Sequence, residues 1–283
     1  MSASTLPSEP ALARMHGRAE LGFVRLDGAH RLGRLYQRAP LRVLFPDPAA
    51  GEPPQAALVT TSGGLAGGDL LELSVHAGPG ARALVVGSAA EKIYRSTGAD
   101  TRVDVRLTAE SGALLEYLPQ ETILFDGARL RRATRIDAAA GATVLAGEIL
   151  VFGRAARGEV LTHGLVRETW EVRRDGRLTW ADALHLDGAL RRPLDAAAGF
   201  AGAVAAATLV LAGAGPQDLR DALRALHADY PGRFAAGIVA GLLVARWLDG
   251  DAQRLRAAFG DSWKIARAMA LALPATLPRL WNI

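Results

Sequence analysis

The sequence has no cysteine, which removes a thiol nucleophile, a CxxC redox pair, an iron–sulfur cluster and a cysteine-built zinc finger from consideration. Lysine is almost as scarce: Lys92 and Lys264 are the only two, so 31 of the 33 basic residues are arginine. Against 29 acidic residues they leave a net charge of just +4. The densest basic group, Arg129, Arg131, Arg132 and Arg135, is broken by Leu130, Ala133 and Thr134. Aromatic residues, at 6%, are too few to line that charge with stacking partners, and the pattern argues against a nucleic-acid binder. No apolar run reaches the roughly 20 residues of a membrane span; the longest weakly polar stretch, Gly199 to Gly215, has 17. Met1 to Pro10 carries neither a positive charge nor an apolar run, so it reads as a loose tail and not as a signal peptide or anchor. Together these absences predict a cytoplasmic protein without membrane contact.

What is present describes a folded chain. Half of the residues are apolar and 22% are charged, a globular composition. A chain of 283 residues buries roughly three quarters of its unfolded surface and needs no disulfide or structural metal. From about Arg18 to Leu186 the hydrophobic period is two. Leu71, Leu73 and Val75 alternate with Glu72, Ser74 and His76, and Thr101, Val103, Val105 and Leu107 alternate with Arg102, Asp104 and Arg106; both runs predict half-buried strands. Val166, Glu168, Trp170 and Val172 share one face of a strand that ends at Asp175-Gly176, and Leu178, Trp180 and Leu184 resume beyond it. An Asp-Gly pair between alternating runs predicts a two-residue hairpin.

A weak repeat runs through this region. Gly80-Ala81, Gly112-Ala113 and Gly141-Ala142 each follow one strand and precede another, at intervals of 32 and 29 residues. Repeats of this length with no helix between them predict strands stacked side by side as in a solenoid, and not a closed barrel; the alternative is that small residues mark three similar hairpin turns. After Leu186 the pattern changes. Helices are expected over about 216–227, with Leu219, Ala222, Leu223 and Leu226 on one stripe, and over about 251–270, with Leu255, Ala258, Phe259, Ser262, Trp263, Ala266 and Met269. Ile238 to Trp247 is an apolar run that fits one buried strand or a helix. Pro274 and Pro278 predict an extended C-terminal segment on the body. The expected fold is therefore mainly β, a stacked-strand, solenoid-like body over about 17–190 with a small C-terminal helical part, all one domain over 17–283 behind a flexible tail of residues 1–16.

Local signals for chemistry are sparse. The loop Gly63-Gly64-Leu65-Ala66-Gly67-Gly68-Asp69 lacks a G-x-G-x-x-G pattern, a following Lys and a following helix, so it reads as a sharp turn or a close backbone approach and not as a phosphate cradle. His16, His30, His76, His163, His185 and His227 show no metal-ligand spacing, and no G-x-S-x-G is present. Asp69, Glu91, Glu116, Glu121, Asp126, Glu148 and Glu159 recur in the β region. Two of them brought together would make either a glycosidase pair or a weak oxygen site for a divalent cation; each alone is more often a solvated or arginine-paired carboxylate.

Longer motifs carry a resemblance. Thr60 to Ser96 (TTSGGLAGGDLLELSVHAGPGARALVVGSAAEKIYRS), Pro119 to Asp126 (PQETILFD), Gly147 to Glu159 (GEILVFGRAARGE) and the closing Pro278-Arg279-Leu280-Trp281 are similar to the urease accessory proteins called UreD or UreH, in the expected order over roughly Gly17 to Trp281. The chain departs from the common pattern at Thr60-Thr61-Ser62 and at Ala66. The resemblance implies a mainly β scaffold without catalytic activity of its own, one that binds apo-urease subunits. It would work with UreF-like and UreG-like partners in GTP-dependent delivery of nickel supplied by a UreE-like chaperone. It implies no tightly bound cofactor, only transient Ni²⁺ along a polar interior path, for which Asp69, Glu121, Glu148 and Glu159 are the candidates. Arg95 and Arg154 would be charge partners or interface anchors, Gly63, Gly64, Gly67 and Gly68 a tight turn, and Trp281 a structural contact. Apolar positions in the proline-rich tail and the last helix are expected contact surfaces. A β-solenoid hydrolase built on Glu121 and Glu148, or a binding module with no metal role, are the alternatives.

Overall fold

A computed structural model describes residues 14–282. Most of the expected tail, residues 1–13, lies outside the described residues; its end is ordered, because the Met15 amide donates to Asp69 and β1 (His16–Leu26) begins at once. Next come β2 (Ala29–Arg38), β3 (Leu41–Leu44) and β4 (Gln55–Thr60). Three coils follow. The first holds β5 (Leu70–Ala77), β6 (Arg82–Gly87) and β7 (Glu91–Ile93); the second β8 (Thr101–Ala109), β9 (Leu114–Leu118) and β10 (Thr122–Leu124); the third β11 (Arg129–Ala138) and β12 (Thr143–Phe152).

The chain then makes the hairpin β13 (His163–Arg174) and β14 (Arg177–Ala189), a short helix α1 (Arg191–Asp195) and β15 (Ala205–Ala212). It ends with α2 (Pro216–Leu226), β16 (Arg233–Val239), β17 (Leu242–Asp249), α3 (Ala252–Ala270) and a 3₁₀ turn at Arg279–Asn282.

These strands form two facing sheets. One has seven strands in the order β14-β13-β11-β8-β5-β1-β2; the other runs β16-β17-β15-β12-β9-β6-β4-β3, with β7 and β10 joined to it beside β12. Within each coil the chain leaves the seven-stranded sheet, turns a corner and enters the second sheet. The three Gly-Ala steps are those corners, so the solenoid reading holds and they are not hairpin turns. Gly80, Gly112 and Gly141 have φ of 61°, 68° and 73°, where a side chain costs about 1–2 kcal/mol. The corners also bond from coil to coil: the Gly80 amide donates to Ser111, and the Leu114 and Thr143 amides to Ala81 and Ala113.

Parallel register puts the same positions of successive coils on top of one another. Leu65, Ile93, Leu124 and Phe152 form one such buried column. Leu21, Val75, Leu107, Ile136 and Val172 form another. The Asp175-Gly176 hairpin forms as expected, with φ of 50° and 76°, although Leu178 just past it is exposed.

The second sheet is covered on its outer side. α2 and α3 lay Leu219, Leu223, Leu255, Phe259 and Trp263 on Leu145, Ile149, Leu209 and Trp247. Three corrections to the expected pattern arise here. Ile238 to Trp247 is not one element: β16 turns into β17 at Ala240-Gly241, two residues with positive φ in a run whose apolar side chains hide the break. Leu226 and Met269, expected on the buried stripes, are 41% and 49% exposed. The extended C-terminal segment closes in the 3₁₀ turn, which places Trp281 against Phe259 with ring centroids 6.0 Å apart.

Arg267 takes the inward place on α3. It is 1% exposed and donates to Glu116 at 2.9 Å, to both oxygens of Glu52 and to the Thr276 carbonyl at 2.6 Å. Trp263 Nε1 donates to the same Glu116 at 3.0 Å. One cation thus ties a loop, a central strand, the last helix and the tail together.

Two measurements check this account. Gly112→Ala should lower stability by about 1–2 kcal/mol through its left-handed backbone alone, read as a shift in urea midpoint with unchanged slope. Arg267→Ala, which strands a buried carboxylate, should cost about 3–5 kcal/mol by the same assay.

Candidate functional site

Between the sheets the apolar columns give way to charge in one place. Leu71 and Val103 stack in register, but the next two positions of that row are Arg132 and Glu168. From the opposite sheet Glu148 enters on the inward phase of β12, where Val144, Ala146, Leu150 and Phe152 are its apolar companions. All three charged residues are buried, Glu168 to 3% and Glu148 to 6% exposure.

Arg132 Nε donates to Glu168 at 2.7 Å and Nη1 to the Thr122 hydroxyl at 2.9 Å. Its Nη2 stands 2.9 Å from Glu148 Oε2, close enough for an ion pair but with its N–H off the hydrogen-bonding line. Trp170 Nε1 donates to the other Glu148 oxygen at 2.9 Å. Glu168 Oε1 has no partner among the described residues.

Burial, reinforced by repulsion from Glu148, raises the Glu168 pKa well above its ordinary value against the pull of Arg132. Burial opposes the charge on Arg132, yet the two carboxylates hold it firmly protonated. Burial also pushes the Tyr117 phenol up to about 12, and it raises Glu91, which accepts from the Thr60 hydroxyl at 2.5 Å.

Two cavities flank this cluster. The larger of the two, about 390 Å³, is walled by Glu148, Glu168, Trp170, Asp182, Phe200 and Arg246, with β13 and β14 of one sheet on one side and β12, β15, β16 and β17 of the other sheet facing them. Arg246 and Asp182, 2.5 Å apart, bridge the sheets beside it. The smaller, about 90 Å³, is lined by Glu91, Tyr117, Thr122 and Arg132 between the coils. Arg132 stands between them. The arrangement sets two carboxylates against one guanidinium in a buried place, with one Glu168 oxygen unpartnered and the Glu168 pKa raised, so that a proton and a cation compete for the same oxygens.

The four carboxylates singled out from sequence are not brought together. Glu148 alone lines the larger cavity. Asp69 is buried but accepts from the Met15 and Ala66 amides at 2.8 Å each, closing the Gly-rich loop on the N-terminal segment. Glu121 accepts from Arg256 of α3 at 3.1 Å. Glu159 pairs with Arg154, whose guanidinium lies 4.3 Å from the Phe125 ring. Glu121 and Glu148, the proposed hydrolase pair, line no common cavity. Arg95 reaches Asp126 at 3.2 Å on the surface.

The glycine loop is a turn under close approach. A Cβ on Gly64 would lie 2.9 Å from the Lys92 carbonyl, and one on Gly67 2.7 Å from the Ala99 carbonyl, while Gly63 and Gly68 have φ of 74° and 96°. Trp281 is buried, with Arg256 4.5 Å from its ring. Sequence reasoning missed Arg132 and Glu168 as site residues, yet both carried a signal: each occupies the inward phase of an alternating strand, where an ionisable side chain is out of place. Among the described residues no group of three or more His, Cys, Asp or Glu side chains is arranged to hold a metal ion, and no helix is long and apolar enough to cross a membrane.

Because Glu168 is neutral in the folded state to a higher pH than when unfolded, its contribution is complete below the unfolded value and is lost as pH rises through the folded one. Glu168→Gln keeps the acceptor for Arg132 and removes the titration. Relative to wild type, the variant should gain stability on going from acid to neutral pH, as read by urea denaturation across that range.

The family model described as "UreD urease accessory protein" matches residues 15–282. A protein named "Urease accessory protein UreD" from Magnetococcus marinus is 48% identical, over 100% of this chain and 99% of its own length. Proteins of the same name from Rhodopseudomonas palustris (strain BisA53) and Granulibacter bethesdensis are 41% and 44% identical, over 98% and 84% of this chain and 95% and 99% of theirs. With its stacked-coil body and its motifs matched from end to end, the chain belongs to the UreD family of urease accessory proteins.

Proposed function

We propose that the chain is a maturation scaffold that binds apo-urease together with UreF-like and UreG-like partners, and that Ni²⁺ crosses its interior during GTP-dependent delivery to the urease active site. A role in urease maturation follows from the family. The interior crossing rests on one observation: a buried carboxylate pair, Glu148 and Glu168, faces a cavity of about 390 Å³ with one oxygen left without a partner.

The cation enters at this cavity. It takes oxygen from both carboxylates, any proton held by Glu168 leaving to solvent through the same cavity, and moves past Arg132 toward Glu91 in the smaller cavity. Two carboxylates offset by a neighbouring guanidinium make a weak, exchangeable site, where a cysteine or histidine cluster would hold the ion. Such passage asks for no bond-making by the protein, in keeping with an accessory role without catalysis. Asp69, Glu121 and Glu159 then support the path by fixing the loop, α3 and the third-coil turn around it.

The test is complementation of a strain lacking this gene with Glu148→Gln and Glu168→Gln. Urease should be made and should co-purify with the accessory partners, while its nickel content, measured by mass spectrometry, falls several-fold. Wild-type nickel content in the double variant would refute the interior path, and normal urease in the deletion strain would refute the maturation role itself.

A further inference from the structure

Among the described residues two ion pairs run from one sheet to the other, and each has its carboxylate on the larger cavity. The inner one joins Arg132 of β11 to Glu148 of β12; the outer one joins Arg246 of β17 to Asp182 of β14. Register relates them. Glu148, Thr208 and Arg246 are paired in turn across β12, β15 and β17, so the strands that carry the two pairs are roughly 10 Å apart. On the facing sheet Arg132 lies beside Glu168, and Trp170, two residues further on, lies opposite Asp182. Half of the Arg246 side chain is in water, whereas Arg132 and Glu148 are each 8% exposed. The cavity thus leads from a hydrated ion pair, past the Thr208 side chain, to a buried one.

Both pairs are loosely made. Arg132 gives Nε to Glu168 and Nη1 to the Thr122 hydroxyl, and neither carboxylate receives it at two points. Its Nη2 and the Glu168 Oε1 are a buried donor and a buried acceptor without hydrogen-bond partners in one cluster. Arg246 likewise meets Asp182 through Nη2 alone. Elsewhere the chain makes the stronger contact: Arg254 gives Nε and Nη2 to the two oxygens of Asp249, and Arg220 does the same to Asp221. Two-point contacts are what fix a guanidinium on a carboxylate, and both arginines on the cavity lack them.

We infer that Arg132 and Arg246 are resident counter-ions of a two-station path. A divalent cation takes Asp182 at the mouth and then Glu148 and Glu168 inside, each guanidinium stepping off its carboxylate as the cation arrives and returning as it leaves. The inference rests on the interior-path reading above and adds to it the device that limits how long the ion stays. A competitor tethered to the same fold acts at high effective concentration however dilute the protein. Bare carboxylates in a buried place would instead hold the ion with their full charge.

Ni²⁺ alone, added to the purified full-length chain, is the probe, with affinity read by equilibrium dialysis and release by a stopped-flow chase with EDTA. Arg132→Met should bind Ni²⁺ at least about tenfold more tightly than wild type and release it correspondingly slowly, because a positive charge beside the cation has gone. Arg246→Met, in water at the mouth, should bind about two- to threefold more tightly. Arg220→Met, on α2, should bind as wild type does. If urea denaturation shows Arg132→Met unfolded, Arg132→Met/Glu168→Gln is compared with Glu168→Gln. The double variant loses one positive and one negative charge together, so the cluster keeps its formal charge, and it should bind at least about tenfold more tightly than the single variant.

Ni²⁺ binding that is unchanged or weaker without Arg132 overturns the inference. Equal tightening by Arg220→Met overturns it as well, since overall charge would then be the cause, and unchanged binding by Arg246→Met removes the outer station. None of these results touches the interior path as long as Glu148→Gln/Glu168→Gln lowers urease nickel. If that variant delivers nickel normally, the path itself is refuted, whatever the arginine variants bind.

Discussion

In a stack of parallel coils each residue lies directly beside its counterpart in the coil before, joined by backbone hydrogen bonds that leave no room for a shift. A slip of one position would turn every inward side chain outward. This constraint explains why the corners are glycine three times over, why Leu65, Ile93, Leu124 and Phe152 line up as a column, and why a charged residue on the inward phase is conspicuous. Register propagates any local choice along the whole stack. An ionic group in one coil therefore needs an answer from a neighbouring coil or from the facing sheet.

The molecule gives that answer twice, in separate layers. Between the sheets Arg132 sits between Glu148 and Glu168; beneath the helices Arg267 sits between Glu116 and Glu52. The two sites differ in completeness. Arg267 is fully engaged by carboxylates and carbonyls, and Glu116 receives both Arg267 and Trp263, so the cluster works as a fastener for the tail. The inner cluster leaves a Glu168 oxygen unmet and opens on a cavity. Burial of an ion pair rarely stabilises a protein beyond what apolar residues would supply, and the incomplete cluster is the less favourable of the two. That energetic cost is what sets it apart from the Arg267 cluster, which serves the architecture, and what supports the proposal of ion passage.

Much of the architecture was legible from residue order. Alternation fixed the strands, the Gly-Ala interval fixed the coil length, and Asp175-Gly176 fixed the hairpin, because all three are local consequences of backbone geometry. Arg132 and Glu168 were hidden for a different reason. They are 36 residues apart and become neighbours only when β11 and β13 pair, a contact that no local pattern encodes. Arg132 was also masked by its company, since Arg129, Arg131 and Arg135 lie on the opposite phase and make the segment look like a solvated patch. Met269 and Leu226 failed for the converse reason: a helical stripe predicts which residues share a side, but the edge of the covered area depends on where the neighbouring element stops. The Ala240-Gly241 turn was invisible because alanine in a left-handed conformation leaves no compositional trace.

The column that begins with Leu71 and Val103 and ends with Arg132 and Glu168 has a consequence for how such a body can change over generations. In most solenoids a coil can be duplicated or deleted, because each resembles its neighbours. Here the coils are unequal: β8 is the last to present an aliphatic residue in that row, and β11 the first to present a charge. An inserted copy of the first coil would extend that column with another leucine and put Leu84 where the second coil has Glu116, whereas a copy of the third would place two guanidiniums side by side in a buried interior with too few acids to neutralise them. Length variation in this lineage should therefore be tolerated in the first coil, ahead of Thr101, and resisted after it.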